Sequence, residues 1–192
     1  AGPTVESIDP VRYLTNRSSG KMGYSIAREA IARGADVTLI SGPTNLSIPQ
    51  NLKKFVQIES AQDLYEAVVS NLSENKIVIQ SAAVADYKPK TYSDKKIKKK
   101  NDDLSIELSR NYDIAYEIGK IKEDKILIGF AAETNDLIEH AKGKIKKKNL
   151  DFIVANDLTK EGAGFRADTN IVKIIDVEGN ITEYPKMKKE EV

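Results

Sequence analysis

The sequence predicts an α/β protein, a mainly parallel sheet flanked by helices with a projecting arm and a terminal β hairpin. Three observations predict it. Short apolar runs alternate with amphipathic stretches of helical period. That rhythm breaks in a lysine-rich passage across residues 87–110. The chain then closes on two alternating runs joined by Glu178-Gly179-Asn180.

In chain order, Met22, Ile26, Ala27, Ala30 and Ile31 recur at helical spacing, and Gly34 supplies a stop. The first helix therefore begins near Ser19 or Gly20 and leads to a strand at Val37-Thr38-Leu39-Ile40. Ser41-Gly42-Pro43 turns into a polar passage through Gln50. Ala61, Leu64, Tyr65, Val68, Val69 and Leu72 mark a second helix with Ser60 as its cap. Lys76-Ile77-Val78-Ile79 forms a strand ending in Ser81-Ala82-Ala83-Val84-Ala85-Asp86. Residues 87–110 contain Lys88-Pro89-Lys90 and a lysine run from Lys95 to Lys100. Leu104, Ile106 and Leu108 then alternate with polar residues, which favours a flap or β arm over a buried helix. A helix over 112–121 precedes the strand Ile126-Ile128, which ends through Gly129 and Ala131-Ala132 near Glu133 and Thr134. Thr134 caps a helix carrying Leu137, Ile138, Ala141 and Ile145. Phe152-Ala155 is a strand ending at Asn156-Asp157, and residues 171–177 and 181–184 form the hairpin.

The 192 residues are enough for one sizeable domain, and 40% apolar with 31% charged content suits a soluble protein. No apolar run approaches a membrane span, and the start shows neither a basic leader nor a secretion-like stretch. It enters a Gly-Pro turn at once, which leaves room for a strand or another domain before it. Thirty basic against twenty-nine acidic side chains argue against a globally basic nucleic-acid binder. Eight tyrosines, four phenylalanines and no tryptophan offer no concentrated stacking platform. The absence of cysteine rules out internal disulfides and thiolate catalysis and fits an intracellular setting. One histidine, His140, cannot build a histidine-rich zinc centre, so carboxylates with Mg²⁺ and nucleotide phosphates are the natural metal chemistry.

Asn16-Arg17-Ser18-Ser19-Gly20-Lys21-Met22-Gly23 is the densest chemical signal. Amides at a helix start, with Ser18, Ser19 and Lys21 nearby, suit an anion, while ordinary serine capping explains the same residues equally well. The spacing is not a P-loop, because Thr15 stands at its first glycine and Met22 at its terminal hydroxyl. Three strand ends rich in small residues, at 82–86, 129–134 and 155–157, suit the ligand crevice of a parallel sheet. Within them Ala83 lets a ligand approach the backbone, and Asp86 is either a ligand contact or an Asx turn. Asp157 reads more simply as a cap. Lys96 suits developing phosphoryl charge or a solvated face. Lys144 and Lys148 share a helical face and suit phosphates or the helix dipole, with Lys142, Lys146 and Lys147 hydrated. Phe165 either covers a base or packs in its loop.

Taken together, these segments resemble the phosphopantothenoylcysteine synthetase family, the CTP-dependent ligase domain often fused to a phosphopantothenoylcysteine decarboxylase. The matching stretches include Ala1-Gly2-Pro3-Thr4, residues 8–13, residues 16–23, Ser81 through Asp86 and Lys96-Ile97-Lys98-Lys99. Gly129 through Thr134, residues 148–151, residues 153–157 and Gly164-Phe165 continue the match in order over most of the chain.

The resemblance implies a Rossmann-like domain over 1–192, with 87–110 as a flap or dimerisation arm. It implies condensation of 4′-phosphopantothenate with L-cysteine using CTP and Mg²⁺, through an acyl-cytidylate, in the cytoplasm. Asn16 would orient the activated carboxylate, Lys96 would stabilise charge during cytidylyl transfer, and Arg12 would bind the substrate phosphate or stabilise its loop. Ser19, Gly20, Lys21 and Met22 would shape the phosphate loop. Ala83, Asp86, Lys144, Lys148 and Phe165 would complete the nucleotide pocket. The metal ligands stay unassigned. A homodimer and a fused or associated flavin-dependent decarboxylase are implied partners, with no nucleic acid and no membrane. The alternative from a different class is a nonenzymatic nucleotide-binding regulatory module.

Overall fold

The computed structural model describes residues 1–99, 103–133, 137–157 and 167–192. Strand β1 (Val5–Ser7) pairs antiparallel with β2 (Tyr13–Thr15), Val5 opposite Thr15. Three-residue strands are too short to display alternation, so this hairpin leaves no pattern in the sequence. Helix α1 (Lys21–Ala32) starts beside the expected position, but a glycine caps it. Gly20 adopts φ 77° and no side chain caps the first turn. This corrects the serine-cap reading: Ser18 and Ser19 hydroxyls accept from the N–H groups of Gly20 and Lys21 at 3.3 and 3.4 Å. Gly34, at φ 85°, ends the helix as expected.

Strand β3 (Thr38–Ser41) pairs in parallel with β4 (Lys54–Gln57), which the sequence reading did not mark. Helix α2 (Ala61–Leu72) has the expected bounds because Ser60 and Asp63 form a reciprocal capping box, at 3.1 Å and 2.8 Å. Strand β5 (Ile77–Gln80) follows. The arm is closed at its base by β6 (Tyr87–Pro89) and β7 (Leu108–Arg110), paired antiparallel. Helix α3 (Ile114–Ile121) begins later than residue 112 because the Asp113 carboxylate accepts the Tyr116 N–H at 3.2 Å.

Strand β8 (Ile126–Glu133) runs through Gly129 and Ala131-Ala132 and ends at Glu133, where the sequence placed its end, held in parallel register with β9 (Phe152–Asp157) from Ile128↔Phe152 to Glu133↔Asp157. A Cβ at Gly129 would lie 2.8 Å from Leu150 Cδ1, so a larger residue there would oblige the Leu150 side chain to shift. Between them runs α4 (Leu137–Lys148), ended by Asn149 at φ 51°; the proposed cap Thr134 lies outside the described residues. Strands β10 (Thr169–Asn170), β11 (Val172–Asp176), β12 (Ile181–Glu183) and β13 (Met187–Lys188) complete the chain. The terminal hairpin is β11–β12, as expected, and β10 pairs with β13.

Among the described residues the main sheet has the order β12-β11-β9-β8-β5. Strands β5, β8 and β9 are parallel, and β11 and β12 run antiparallel to their neighbours. One face packs on α2, α3 and α4 through Leu64, Ile114, Ile118, Leu127, Ile145, Ile153 and Ile175. Burial of each such large aliphatic side chain contributes about 1.5–3 kcal/mol. A smaller cluster joins α1 to β3 through Tyr24, Ala27 and Leu39.

Residues 1–4 stitch the two regions together. The Gly42 N–H donates to the Ala1 carbonyl at 3.0 Å, and the Ala83 N–H donates to that of Gly2 at 2.9 Å. Thr4 is fully buried. Its hydroxyl accepts from the Ala85 N–H at 2.9 Å, and its carbonyl accepts from the Thr15 hydroxyl at 2.7 Å. Among the described residues no helix is long and apolar enough to cross a membrane.

Candidate functional site

Parallel strands deliver their carboxyl ends to one edge of the sheet, where the chain leaves the ladder and ligands gain access to backbone. At that edge lies a cavity of about 940 Å³ lined by the loop 16–23, residues 80–87, residues 110–115 and the middle of β8. It brings together Asn16, Ser19, Gly20, Lys21, Met22, Ala83, Asp86, Lys144 and Lys148, nine residues singled out in the sequence.

Gly23 explains how α1 reaches this edge. A Cβ at residue 23 would stand 2.6 Å from Ser81 Oγ, so the helix lies directly against the chain leaving β5. Asn16 ties the two loops from the other side, its Nδ2 donating to the Ala83 and Val84 carbonyls at 3.1 and 3.0 Å. With both amide protons engaged, its carbonyl oxygen is the group it can offer a ligand.

The lining is strongly basic. Arg17, Lys21, Arg110, Lys144, Lys147, Lys148 and Lys189 face it against Asp86 and Asp113. Lys147 therefore belongs to the cavity rim as well as to solvent, correcting its purely hydrated assignment. Lys148 pairs with Asp113 at 3.0 Å, linking the end of α4 to the cap of α3. Lys21 pairs with Asp168 at 2.6 Å, and its hydrogen bond and charge hold the Asp168 carboxyl below its ordinary range. Lys189 is buried and donates to the Ala167 carbonyl at 2.6 Å. Burial first, then the Lys21 charge, pushes its ammonium pKa down against the opposing pull of Asp168. Sequence reasoning missed Lys189, because nothing in the terminal lysine run marks which member turns inward.

Asp86 is exposed on the cavity wall, and its side chain makes no hydrogen bond or ion pair among the described residues, so the Asx-turn reading is not what forms. No group of three or more potential metal-ligating side chains occurs among those residues. A hard cation brought in on phosphate oxygens could take the exposed Asp86 carboxylate as a ligand. Gln80 also lines the cavity, and its buried Oε1 has no hydrogen-bond partner among the described residues. Phe130 supplies an aromatic wall the sequence reading passed over; Phe165 lies outside the described residues.

Two singled-out residues are not brought into the lining. Arg12 is held by Asp9, Nη2 to Oδ2 at 2.5 Å and Nε to Oδ2 at 3.0 Å. That guanidinium is the chief reason the buried Asp9 carboxyl lies far below the usual carboxylate range. Lys96 is exposed on the arm.

The DNA/pantothenate metabolism flavoprotein C-terminal domain family matches residues 1–192. The coenzyme A biosynthesis bifunctional protein CoaBC of Bacillus subtilis (strain 168) is 52% identical over 192 residues, covering 100% of this chain and 47% of that protein. The chain thus spans about half the length of this relative. A crystal structure of the C-terminal domain of a coenzyme A biosynthesis bifunctional protein CoaBC superposes with TM-score 0.83 at 46% identity, covering 100% of this chain and 87% of that one. The DNA/pantothenate metabolism flavoprotein from Streptococcus pneumoniae has the same fold, with TM-score 0.85 at 24% identity over 100% of this chain and 91% of that one.

Proposed function

The chain belongs to the DNA/pantothenate metabolism flavoprotein C-terminal domain family, and from that membership we propose that it is a phosphopantothenate–cysteine ligase that uses CTP. The observation that carries this reading is the basic cavity at the carboxyl edge of β5, β8 and β9, which gathers the α1 loop, Lys144, Lys148 and Asp86.

In the proposed reaction a carboxylate oxygen of 4′-phosphopantothenate attacks the α-phosphorus of CTP. The Pα–O bond to the β-phosphate breaks, and pyrophosphate leaves. The free amine of L-cysteine then attacks the acyl carbon of the resulting acyl-cytidylate, CMP departs and the amine loses a proton to solvent. The amides at the start of α1, with Lys21, Lys144 and Lys148, would bind the polyphosphate and offset its charge. Asn16 would fix the substrate carboxylate's surroundings through the loop it pins, and Lys96 would stabilise charge as cytidylyl transfer proceeds. Arg12 would stabilise the loop before Asn16. Mg²⁺ held by phosphate oxygens and Asp86 would supply further charge neutralisation. Phe130, and Phe165 as the sequence suggests, would cover the base.

The whole of residues 1–192 would act as one ligase domain in the cytoplasm, with 87–110 as its arm. The homodimer belongs to this proposal. On the sheet face opposite α2, α3 and α4, Ile77 is 53% exposed, Ile79 39%, Ile126 38% and Phe152 38%. Their register, Ile77↔Ile126 and Ile79↔Ile128↔Phe152, places them on one continuous apolar face suited to a second copy. A flavin-dependent decarboxylase, fused or associated, would be the further partner, consistent with the bifunctional name of the relatives.

The test is mass analysis of the amide product together with nucleotide assays. CMP and pyrophosphate are expected only when 4′-phosphopantothenate, L-cysteine, CTP and Mg²⁺ are all present. Nucleotide binding without consumption would instead make this a regulatory module. Lys96→Gln is expected to lower kcat at least about tenfold, the size of one lost charge-assisted contact, with an unchanged melting curve.

A further inference from the structure

Asp9 divides its two carboxylate oxygens between two tasks. Oδ1 accepts from the N–H groups of Val11 and Arg12, both at 2.9 Å, and shapes the local turn. Oδ2 accepts from Arg12 Nε at 3.0 Å and Nη2 at 2.5 Å, and from the Ile97 N–H at 3.1 Å. Arg12 Nη2 then donates to the Ile97 carbonyl at 2.9 Å. The pair therefore grips both polar groups of one arm peptide residue, 85 to 88 residues away in the chain. A second anchor lies close by, the Ser93 N–H donating to the Ile8 carbonyl at 3.1 Å.

Ile97 directly follows Lys96, and Arg12 directly precedes β2, which leads to Asn16 at the cavity. The extended chain from Arg12 to Asn16 spans roughly 13 Å at about 3.3 Å per residue. The grip thus ties the backbone beside Lys96 to the strand that carries Asn16. Lys96 itself lies among lysines whose solvation favours a loose chain, so its average position depends on whatever holds its neighbour.

We propose that Asp9 is a positioning residue for Lys96: through Oδ2 it locks Arg12 and Ile97 together and fixes the arm relative to the Asn16 strand. This rests on the ligase reading for the role of Lys96, but the grip is a separate claim. Asp9→Asn isolates it. An asparagine carbonyl can replace Oδ1 and keep the turn, while its NH₂ meets three donors where Oδ2 accepted.

The experiment compares tryptic cleavage after Lys95, Lys96 and Lys98 with steady-state kinetics, in the whole chain. Asp9→Asn is expected to speed cleavage in the arm at least about tenfold, the opening expected when charged hydrogen bonds are lost. It is also expected to lower kcat about tenfold with KM for CTP changed less than about threefold. Added to Lys96→Gln, it should lower kcat no further, because it acts through that lysine. Arg12→Lys, which keeps the charge but drops the forked contact, should reproduce the faster cleavage even if Asp9→Asn folds poorly. Glu107→Gln, on the exposed arm pair with Lys90, should leave cleavage and kcat at the parent level. Unchanged cleavage in both Asp9→Asn and Arg12→Lys overturns the grip whether or not the parent makes product. Faster cleavage with kcat losses that add to those of Lys96→Gln overturns the link to Lys96. A parent without ligase activity overturns the ligase reading and the Lys96 role, while cleavage still decides the grip.

Discussion

A methyl group added at residue 20 would stand 2.6 Å from Thr44 Cγ2, on a backbone already at φ 77°. The left-handed conformation alone costs a side-chain-bearing residue about 1–2 kcal/mol. Gly20→Ala is therefore expected to lower the unfolding free energy by about 1–3 kcal/mol, seen as a lower urea midpoint at unchanged slope. Gly143, inside α4 with nothing within 4 Å of its notional Cβ, is the counter-case; alanine there should raise stability by about 0.5–1 kcal/mol. At this scale the sequence revealed residues that sit at strand ends and helix starts, such as Ala83, Asp86 and Gly20, because local pattern places them. It did not reveal Phe130, Lys189 or the Asp9 grip. Their partners are distant in the chain, and a buried ammonium among terminal lysines looks no different from a solvated one.

Elements were legible where length and caps agreed. Helix α2 begins and ends where its apolar spacing requires, and Ser60 with Asp63 closes its first turn. Ser60→Ala should cost about 1 kcal/mol, read as a shifted urea midpoint. Retaining Asp63 leaves one half of the box in place, so Asp63→Ala on top should cost less than it does alone. The arm was recognisable from its break in rhythm, and the strands that pair at its base are Tyr87–Pro89 and Leu108–Arg110. Strands β1, β2 and β4 escaped notice because three or four residues cannot establish a period. Strand β8 ends at Glu133, where its small residues placed the end, and parallel pairing with β9 carries it through its glycine and alanines to that point.

For the molecule as a whole, the parallel alternation predicted the sheet but not the unequal covering of its faces. Helices α2, α3 and α4 seal one face, and the opposite face leaves Ile77, Ile79, Ile126 and Phe152 partly open to water. Ile77→Lys should therefore shift the sedimentation mass from dimer towards monomer at micromolar concentration while the circular dichroism spectrum stays unchanged. A parent chain that sediments as a monomer under those conditions would remove the basis for a pair formed through this face.

The strap at residues 1–4 touches both Gly42 and the chain around Ala83, and Thr4 reaches Ala85 and Thr15 at once. This girder thus gives a displacement of the β3–β4 pair a hydrogen-bonded route to the chain beside the cavity. Remote changes near Gly42 should alter how wide the mouth opens without any direct contact with what it holds.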